Sequence, residues 1–307
     1  MALTTSPAPA RTAHTDVRPH RKRRIDRTHY LFLLPAIAAF TLFITLPAVM
    51  GIFFSFTNSV GYGEWDFVGV SNYALMLTDP AILASYGFTL GFAAVTVVVT
   101  NVIAFLLAVG LTSQIRARVL LRTVFVIPMV VSAIIIAYVF NFLFSKSLPA
   151  AAQAIGFGPL EDSILANPDL AWLSIVLVTA WQAIPGTMLI YIAGLVAIPR
   201  ELYEASSLDG ASAWQQIKTI TLPLMAGYIV INVILTFKNF LNAYDVIIGL
   251  TGGGPGTSTR SVAMTIFSGF DTGDYAYQMA NATIFFLIAL AIAMIQLRLM
   301  RGKGQSR

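Results

Sequence analysis

Long apolar runs alternate with short polar segments along nearly the whole chain. A membrane hydrocarbon core needs about 20 apolar residues in a helix, and six runs reach that length. They cover residues 30–56, 84–111, 124–144, 170–198, 222–248 and 279–297. Only the run 222–248 contains charged side chains, Lys238 and Asp245. The pattern predicts an all-α integral membrane protein with six transmembrane helices.

The basic residues of the polar segments fall almost entirely on one side of this predicted topology. Six spans put both termini on the same side of the membrane, and that side carries sixteen Lys and Arg residues. The opposite side carries only Lys146 and Arg260. Because Lys and Arg concentrate in cytoplasmic loops, both termini are predicted to be cytoplasmic. The net charge of +5 is therefore a topology signal, and we expect no nucleic-acid partner.

The same pattern divides the chain into three parts. Residues 1–29 form a basic cytoplasmic arm, predicted to be disordered because it is rich in Pro, Ala, Thr and Arg. Residues 30–300 form the transmembrane domain, and residues 301–307 form a cytoplasmic tail. The first apolar run is longer than a signal-peptide core of roughly 7–15 residues, which favours an uncleaved anchor in the plasma (inner) membrane.

Composition narrows the possible chemistry. The chain is 57% hydrophobic and 11% charged, whereas soluble domains carry about 25% charged residues. It contains no cysteine, and its three histidines all lie in the arm. These absences exclude thiol chemistry and a His-ligated metal site in the apolar body, and they argue against a membrane enzyme. An ion-coupled carrier would need a buried carboxylate relay, for which only Asp245 comes near.

The cytoplasmic segment 201–223 is the longest polar interruption on its side. Leu202, Ala205 and Leu208 fall close to one face of a predicted helix, with acidic residues around the rest. Gly210 is placed to end that helix, since glycine adopts backbone angles that other residues resist. The segment is predicted to form a short helix, a bend and a second short helix that leads into the next span.

The spacing within this segment carries a family resemblance. Glu204-Ala205-Ser206, three residues, Gly210, nine residues, and then Ile220-Thr221-Leu222-Pro223 resembles the EAA motif of ABC importer permeases. Ser206 departs from the usual alanine, and both residues are small. The resemblance implies a type I ABC importer permease-like bundle, with a coupling helix at about 200–221. It implies that Glu204, Ala205, Ser206 and Gly210 transmit movement from an ATPase subunit.

A second stretch narrows the resemblance to one group. Gly252, Gly253, Gly254 and Pro255 follow Leu250-Thr251, and this loop is similar to the external TxGGP loop of carbohydrate-type permeases. A nucleotide-binding loop would need a Gly-Lys-Ser/Thr ending, which occurs nowhere in the sequence. The loop is therefore interpreted as a tight external turn.

The resemblance also implies partners and a mechanism. The chain lacks its own phosphate loop, so ATP and Mg²⁺ are expected to be bound by two separate ATP-binding subunits. A second homologous permease, in a heterodimer, would complete a central cavity in the lipid bilayer, and an external solute-binding protein would deliver a sugar. Transport would proceed by alternating access, with no catalytic residue, metal or cofactor in this chain.

Polar residues at membrane depth are candidates for the solute path, because they cost energy there and face the bundle interior. Thr236, Asn239 and Phe240 are spaced to share a face of the fifth span, which offers amides and a flat ring to a sugar. The alternative is that such residues only tie helices together. The candidates are Asn101, Asn141, Trp181, Gln182, Asn232, Thr236, Lys238, Asn239, Phe240, Asn242 and Tyr244.

Lys238 leaves the cargo open. It either pairs with Asp245, two turns onward in the predicted helix, extends toward the surface, or contacts an anionic solute. The sequence favours a di- or oligosaccharide, with a glycerol-phosphate or phosphodiester importer as the alternative and an ion-coupled secondary carrier further behind.

Overall fold

The computed structural model describes residues 27–113 and 118–304. In these ranges the chain is helical, and the only β pairing is an isolated bridge between Thr57 and Phe67. The fourteen α-helices are α1 Arg27–Phe40, α2 Leu46–Phe54, α3 Ser71–Thr78, α4 Pro80–Thr112, α5 Arg118–Val130, α6 Ala133–Phe142, α7 Leu148–Ile155, α8 Pro168–Val196, α9 Arg200–Leu208, α10 Ala213–Gln216, α11 Leu222–Leu241, α12 Asp245–Leu250, α13 Val262–Asp271 and α14 Tyr275–Gly304.

Three π-helical turns join neighbouring helices into longer rods. They lie at Thr41–Thr45, Leu143–Ser147 and Ile217–Thr221, so α1 continues into α2, α6 into α7, and α10 into α11. The chain also divides into two compact units, the first ending at Val49 and the second beginning at Met50.

Six stretches of the described chain are long and apolar enough to cross a membrane, as the sequence predicted. They are Phe32–Phe54, Pro80–Thr112, Ala133–Ile155, Pro168–Val196, Ala213–Leu241 and Tyr275–Arg298. The basic arm lies largely outside the described residues, although α1 already begins at Arg27. The helix α14 extends to Gly304, so the predicted tail, residues 301–307, begins inside a helix.

Two predicted spans differ from the structure because each is interrupted. The run 124–144 is not one helix: α5 ends at Val130, Val131 and Ser132 are non-helical, and the third span starts at Ala133. The run 222–248 is also not one helix, because α11 ends at Leu241 and α12 starts only at Asp245. Lys238 and Asp245 therefore do not follow each other along one helix face, and the premise for pairing them was wrong.

The long helices α4 and α8 form the centre of the second unit. Both begin with a side-chain cap: Asp79 Oδ1 accepts from the Ala81 amide at 2.8 Å, and Asn167 Oδ1 accepts from the Asp169 amide at 2.9 Å. Proline follows each cap, where its missing N–H costs nothing. Phe92 of α4 and Ile175 of α8 are fully buried in the core. The helices α4 and α8 therefore form the scaffold that positions the interrupted helices.

Candidate functional site

The two helix interruptions of the second unit lie on one cleft. The cleft has a volume of about 370 Å³ and receives residues from both sides of each break and from α8. Non-helical backbone at membrane depth is tolerated where it is buried in protein or lines a water-filled cavity. The cleft is lined by Met129, Ala133, Thr179, Gln182, Ala183, Asn239, Phe240, Asn242, Ala243, Tyr244, Asp245 and Val246.

Gln182 connects α8 to the first interruption. Its Nε2 donates to the carbonyl oxygen of Val131 at 3.0 Å. The break leaves this carbonyl without a regular helical partner, and a backbone acceptor without a hydrogen bond is costly away from water. One amide of the cleft wall therefore also stabilises the irregular backbone, which is the helix-tying role that the sequence left as an alternative.

The predicted solute-path residues separate in the structure. Gln182, Asn239, Phe240 and Asn242 line the cleft, with Asn239 and Asn242 exposed and Phe240 nearly buried. Asn242 Nδ2 donates to the Lys238 carbonyl at 2.9 Å, so part of its hydrogen-bonding capacity closes the end of α11.

Thr236 belongs to a buried network and not to the cleft wall. Its Oγ1 accepts from Asn101 Nδ2 at 3.1 Å, and the Asn101 Oδ1 accepts from Tyr191 OH at 2.6 Å. Asn232, one turn earlier on α11, donates to the Thr187 carbonyl at 3.1 Å. These bonds connect α4, α8 and α11. The single face predicted for Thr236, Asn239 and Phe240 is not observed, because Thr236 points into the helix packing while Asn239 is exposed.

Asn141 and Trp181 also lie outside the cleft lining. Asn141 Nδ2 donates to the Leu250 carbonyl at 2.6 Å and so ties α6 to the end of α12. Trp181 is half exposed, and its ring meets Phe140 edge-on at 5.4 Å between centroids. Both contacts match the helix-tying alternative that the sequence left open for these two candidates of the solute path.

Two cleft residues were missed as site residues by the sequence reasoning. Thr179 Oγ1 is buried and has no hydrogen-bond partner among the described residues, although Ser174 and Thr187 on the same helix bond to carbonyls four residues earlier. Asp245 is exposed and lines the cleft as the first residue of α12. Threonine in an apolar run carries little sequence signal, and Asp245 was interpreted within an unbroken helix.

The segment at 201–223 has the predicted shape. The helix α9 ends at Leu208, Gly210 has a φ of +79°, and α10 follows after the bend. Such a positive φ favours glycine. Ser212 caps α10 reciprocally with Gln215, whose Oε1 accepts from the Ser212 amide at 2.7 Å. The prediction of a helix, a bend and a second helix is confirmed.

Hydrogen bonds fix the two short helices against each other. Gln216 Nε2 donates to Ser207 Oγ at 2.9 Å, and the hydroxyls of Tyr203 and Thr221 lie 2.9 Å apart. Since Tyr203 and Ser207 face α10 and its continuation, the remaining faces of α9 are exposed, including Glu204 and Ala205, while Ser206 is half-buried. The segment is thus a preformed unit with an open surface.

Large apolar side chains stand on that open surface. Leu208 is 90% exposed, Trp214 is 71% exposed and Leu202 is 44% exposed. Leu202 and Leu208 were predicted to share a face of α9, but Trp214 was not singled out. A tryptophan beside a capping serine in a polar segment is a signal that could have identified it, since exposed Trp is frequent at binding hot spots.

The glycine-rich loop forms a tight turn. Gly252 and Gly253 have φ values of +62° and +89°. Thr259 closes the turn, because its Oγ1 donates to the Gly254 carbonyl at 2.7 Å and lies 2.8 Å from Thr251 Oγ1. A Cβ on Gly253 would stand 3.1 Å from Met264, so close approach as well as backbone conformation favours glycine there. The turn is as predicted, and its position on the external side stays a prediction.

Six apolar helices, interrupted spans around a cleft and an exposed helical segment between two spans define a polytopic membrane transport subunit. The chain belongs to the family described as "Binding-protein-dependent transport system inner membrane component", whose model matches residues 100–301. It is therefore a multi-pass protein of the inner membrane, and the permease prediction is confirmed.

Curated relatives cover nearly the whole chain. The multiple sugar-binding transport system permease protein MsmF of Streptococcus mutans is 32% identical over 88% of this chain and 94% of its own length. The trehalose/maltose transport system permease protein MalF of Thermococcus litoralis is 33% identical over 91% of this chain and 96% of its own length.

The fold is also similar to a solved structure. A bacterial ABC transporter involved in the import of the acidic polysaccharide alginate contains a chain that aligns with a TM-score of 0.78. The two chains are 20% identical, and the alignment covers 92% of this chain and 97% of the other. The predicted all-α permease fold is thereby confirmed.

Proposed function

We propose that this chain is the translocation subunit of an ABC importer that carries a di- or oligosaccharide. The observation that carries the proposal is the cleft, in which the exposed amides of Asn239 and Asn242 and the half-buried amide of Gln182 stand beside the half-buried ring of Tyr244. Amides bind hydroxyls, and an aromatic surface suits the apolar face of a sugar ring. The names of the relatives, which specify multiple sugars and trehalose/maltose, support the same class.

The path requires a second permease subunit in this proposal. The cleft is lined from α5, α6, α8, α11 and α12 of one chain, with exposed amides on its open side. A homologous partner, in a heterodimer, would supply the facing wall, and the broken helices of the two subunits would surround the solute near the membrane midplane. This arrangement agrees with transporters that bind solutes at discontinuous helices.

Energy is proposed to enter through the segment α9–α10. Two separate ATP-binding subunits hold ATP and Mg²⁺ and hydrolyse the nucleotide, so this chain is not itself an ATPase. Leu208 and Trp214 insert into an apolar groove of the ATPase subunit, and Glu204 contacts a basic or polar rim. Because hydrogen bonds fix α9 to α10 and its continuation, movement of the ATPase displaces the segment as one unit and reaches α11 directly.

An external solute-binding protein delivers the sugar in this scheme. We place the Gly252–Pro255 turn on the delivery side, at the end of α12 opposite Asp245. The chain continues from the cleft through α12 into the turn without another interruption. Docking at the turn would therefore act on the helix whose first residues line the cleft.

The test is transport by the reconstituted complex with its partner permease, ATPase subunits and binding protein. We expect uptake of at least one labelled di- or oligosaccharide from a panel, with ATP hydrolysis stimulated by the same sugar. Glu204→Ala should lower uptake while leaving assembly intact. A complex that transports glycerol 3-phosphate and no sugar of the panel would contradict the sugar assignment.

The glycerol-phosphate alternative has one observation in its favour. Lys238 is exposed and adjoins Asn239 in sequence, and a relative named as an sn-glycerol-3-phosphate transport system permease in Agrobacterium fabrum is 28% identical over 88% of this chain. Lys238 is not among the described residues that line the cleft, so the sugar remains the first choice.

A further inference from the structure

We propose that Asp245 makes the cleft electronegative, so that it accepts uncharged or amine-bearing polyhydroxyl solutes and disfavours anionic ones. The proposal rests on the proposed function of the cleft as the solute path. It assigns to Asp245 a role in charge selection that the sequence, with an unbroken fifth span, gave no reason to expect.

The break after α11 places Asp245 at the cleft. With α11 ending at Leu241 and α12 starting at Asp245, the carboxylate lines the cleft and is exposed, while the next two residues, Val246 and Ile247, are buried. The burial of these neighbours anchors the start of α12 in the core. The charge is therefore held at a fixed place on the cleft wall.

A structural role alone explains Asp245 less well. An acidic residue in the first turn of a helix is stabilised by the helix dipole by roughly 0.3–1 kcal/mol, but α12 has only six residues. Its N-terminal cap position is occupied by Tyr244, which makes no side-chain capping bond. The helix is instead held through buried side chains such as Ile247 and Leu250. It does not need the carboxylate for its position.

No positive charge balances Asp245 within the cleft. Among the described residues that line it, Asp245 is the only charged one, and the others are amides, a hydroxyl, aromatic rings and apolar groups. An anion that enters such a cleft meets repulsion without a compensating cation. A unit charge at about 7 Å is worth roughly 0.6 kcal/mol even in water and more beside protein. The arrangement selects against phosphorylated and acidic solutes.

The amides of the cleft wall point to the neutral part of the solute. Asn239 and Asn242 are exposed there, and Gln182 is half-buried. An amide group both donates and accepts hydrogen bonds, which suits the hydroxyls of a solute. The amides thus favour a polyhydroxyl ligand, and Asp245 limits its charge.

The absence of cysteine from the chain permits a direct measurement of the local potential. A single Ala183→Cys change places a thiol in the cleft on α8, on a different helix from Asp245. The assembled complex is treated with cationic MTSET or anionic MTSES, and the rate at which each reagent modifies the thiol is measured. The MTSET rate is divided by the MTSES rate, and this ratio is normalised to the same ratio for a free thiol in solution. Ala133→Cys, at the start of α6 in the same cleft, serves as a second position if the first variant does not assemble.

We expect the cationic reagent to be favoured, and Asp245→Asn to reduce the ratio roughly three- to tenfold, as expected for removal of one nearby charge acting on reagents that differ by two. Asp162→Asn, at an exposed acid outside the cleft lining, is the matched control and should leave the ratio unchanged. An unchanged ratio in Asp245→Asn overturns the proposal.

A second arm separates this proposal from the function on which it rests. Maltotriose and trigalacturonate are compared as protectants of the Ala183→Cys thiol and as transported solutes. If maltotriose protects the thiol better than trigalacturonate when Asp245 is present, and Asp245→Asn narrows that difference, charge selection is supported. If both sugars protect the thiol equally when Asp245 is present, charge selection is contradicted. Absence of sugar protection and uptake, together with a ratio that still depends on Asp245, contradicts the sugar-path function and leaves the charge assignment standing.

Discussion

The segment α9–α10 and the cleft show two different ways in which this chain builds a functional surface. In the segment, nearby residues determine the geometry: Gly210 makes the bend, Ser212 caps the second helix, and Gln216 bonds back to Ser207. In the cleft, the walls come from segments that are distant in sequence, as the bond between Gln182 and Val131 shows. The first surface could be described from the sequence, and the second could not.

Mutations in the segment and mutations around the cleft are therefore expected to have different effects. The exposed side chains of the segment, such as Leu208 and Trp214, do not support the bundle, so changing them should affect a partner and not folding. Side chains around the cleft divide into those that contact the open space and those that hold the helices together.

The largest effect is expected at the open face of the segment. Leu208→Ala combined with Trp214→Ala should weaken binding of the ATPase subunit by about thirtyfold or more, because burying such anchors at an interface contributes about 2 kcal/mol or more. Affinity between the purified permease pair and the ATPase subunit is the measurement. Ile155→Ala, at a residue that is 79% exposed on another helix, is the matched control, and an equal loss in the control would contradict the docking surface.

The bend should be nearly as sensitive. Gly210→Val forces a side chain into a left-handed conformation at a cost of roughly 1–2 kcal/mol, which changes the population of the bent form by about 5–30-fold. Uptake should fall while membrane insertion is retained, and Gly210→Asn should be milder because Asn tolerates this conformation. No neighbour lies within 4 Å of an added Cβ, so normal uptake by the valine variant would show that the bend is not needed.

Within the fifth span, Thr236 and Asn239 should behave oppositely. Thr236→Val removes one of the two acceptors of the buried Asn101 Nδ2 and leaves only the Val97 carbonyl. The unpaired N–H costs roughly 1–3 kcal/mol, so the Tm of the complex in detergent should fall. Asn239→Ala changes an exposed cleft residue and should lower uptake with little change in Tm. If Thr236→Val lowered uptake without changing the Tm, Thr236 would belong to the solute path together with Asn239, as the sequence predicted.

The smallest effect is expected at Trp181. Trp181→Phe keeps an aromatic ring beside Phe140 and changes no residue of the cleft lining, so the stability should change by no more than about 0.5 kcal/mol and the apparent KM for sugar should be unchanged. Uptake at graded sugar concentrations measures this. A raised KM would place Trp181 on the solute path after all.

Particular residues show why prediction from the sequence succeeded only in part. Six spans followed from run length, because about 20 apolar residues are needed wherever a helix crosses a membrane. The interruptions at Val131–Ser132 and Asn242–Tyr244 carried no comparable signal, since apolar residues flank both. Pro128 and Pro185 are as strong helix breakers in sequence as any residue nearby, yet both lie inside helices.

The sequence by itself determined the class of the fold, the number of spans and the bend in the segment between the fourth and fifth spans. Each of these depends on composition, on periodicity or on residues a few positions apart. Only the tertiary structure decided which polar residues of the spans face the cleft and which are buried. Asn239 and Thr236 are both polar residues of one helix, and their different surroundings come from packing against α4 and α8. That packing is a long-range property, and no local pattern encodes it.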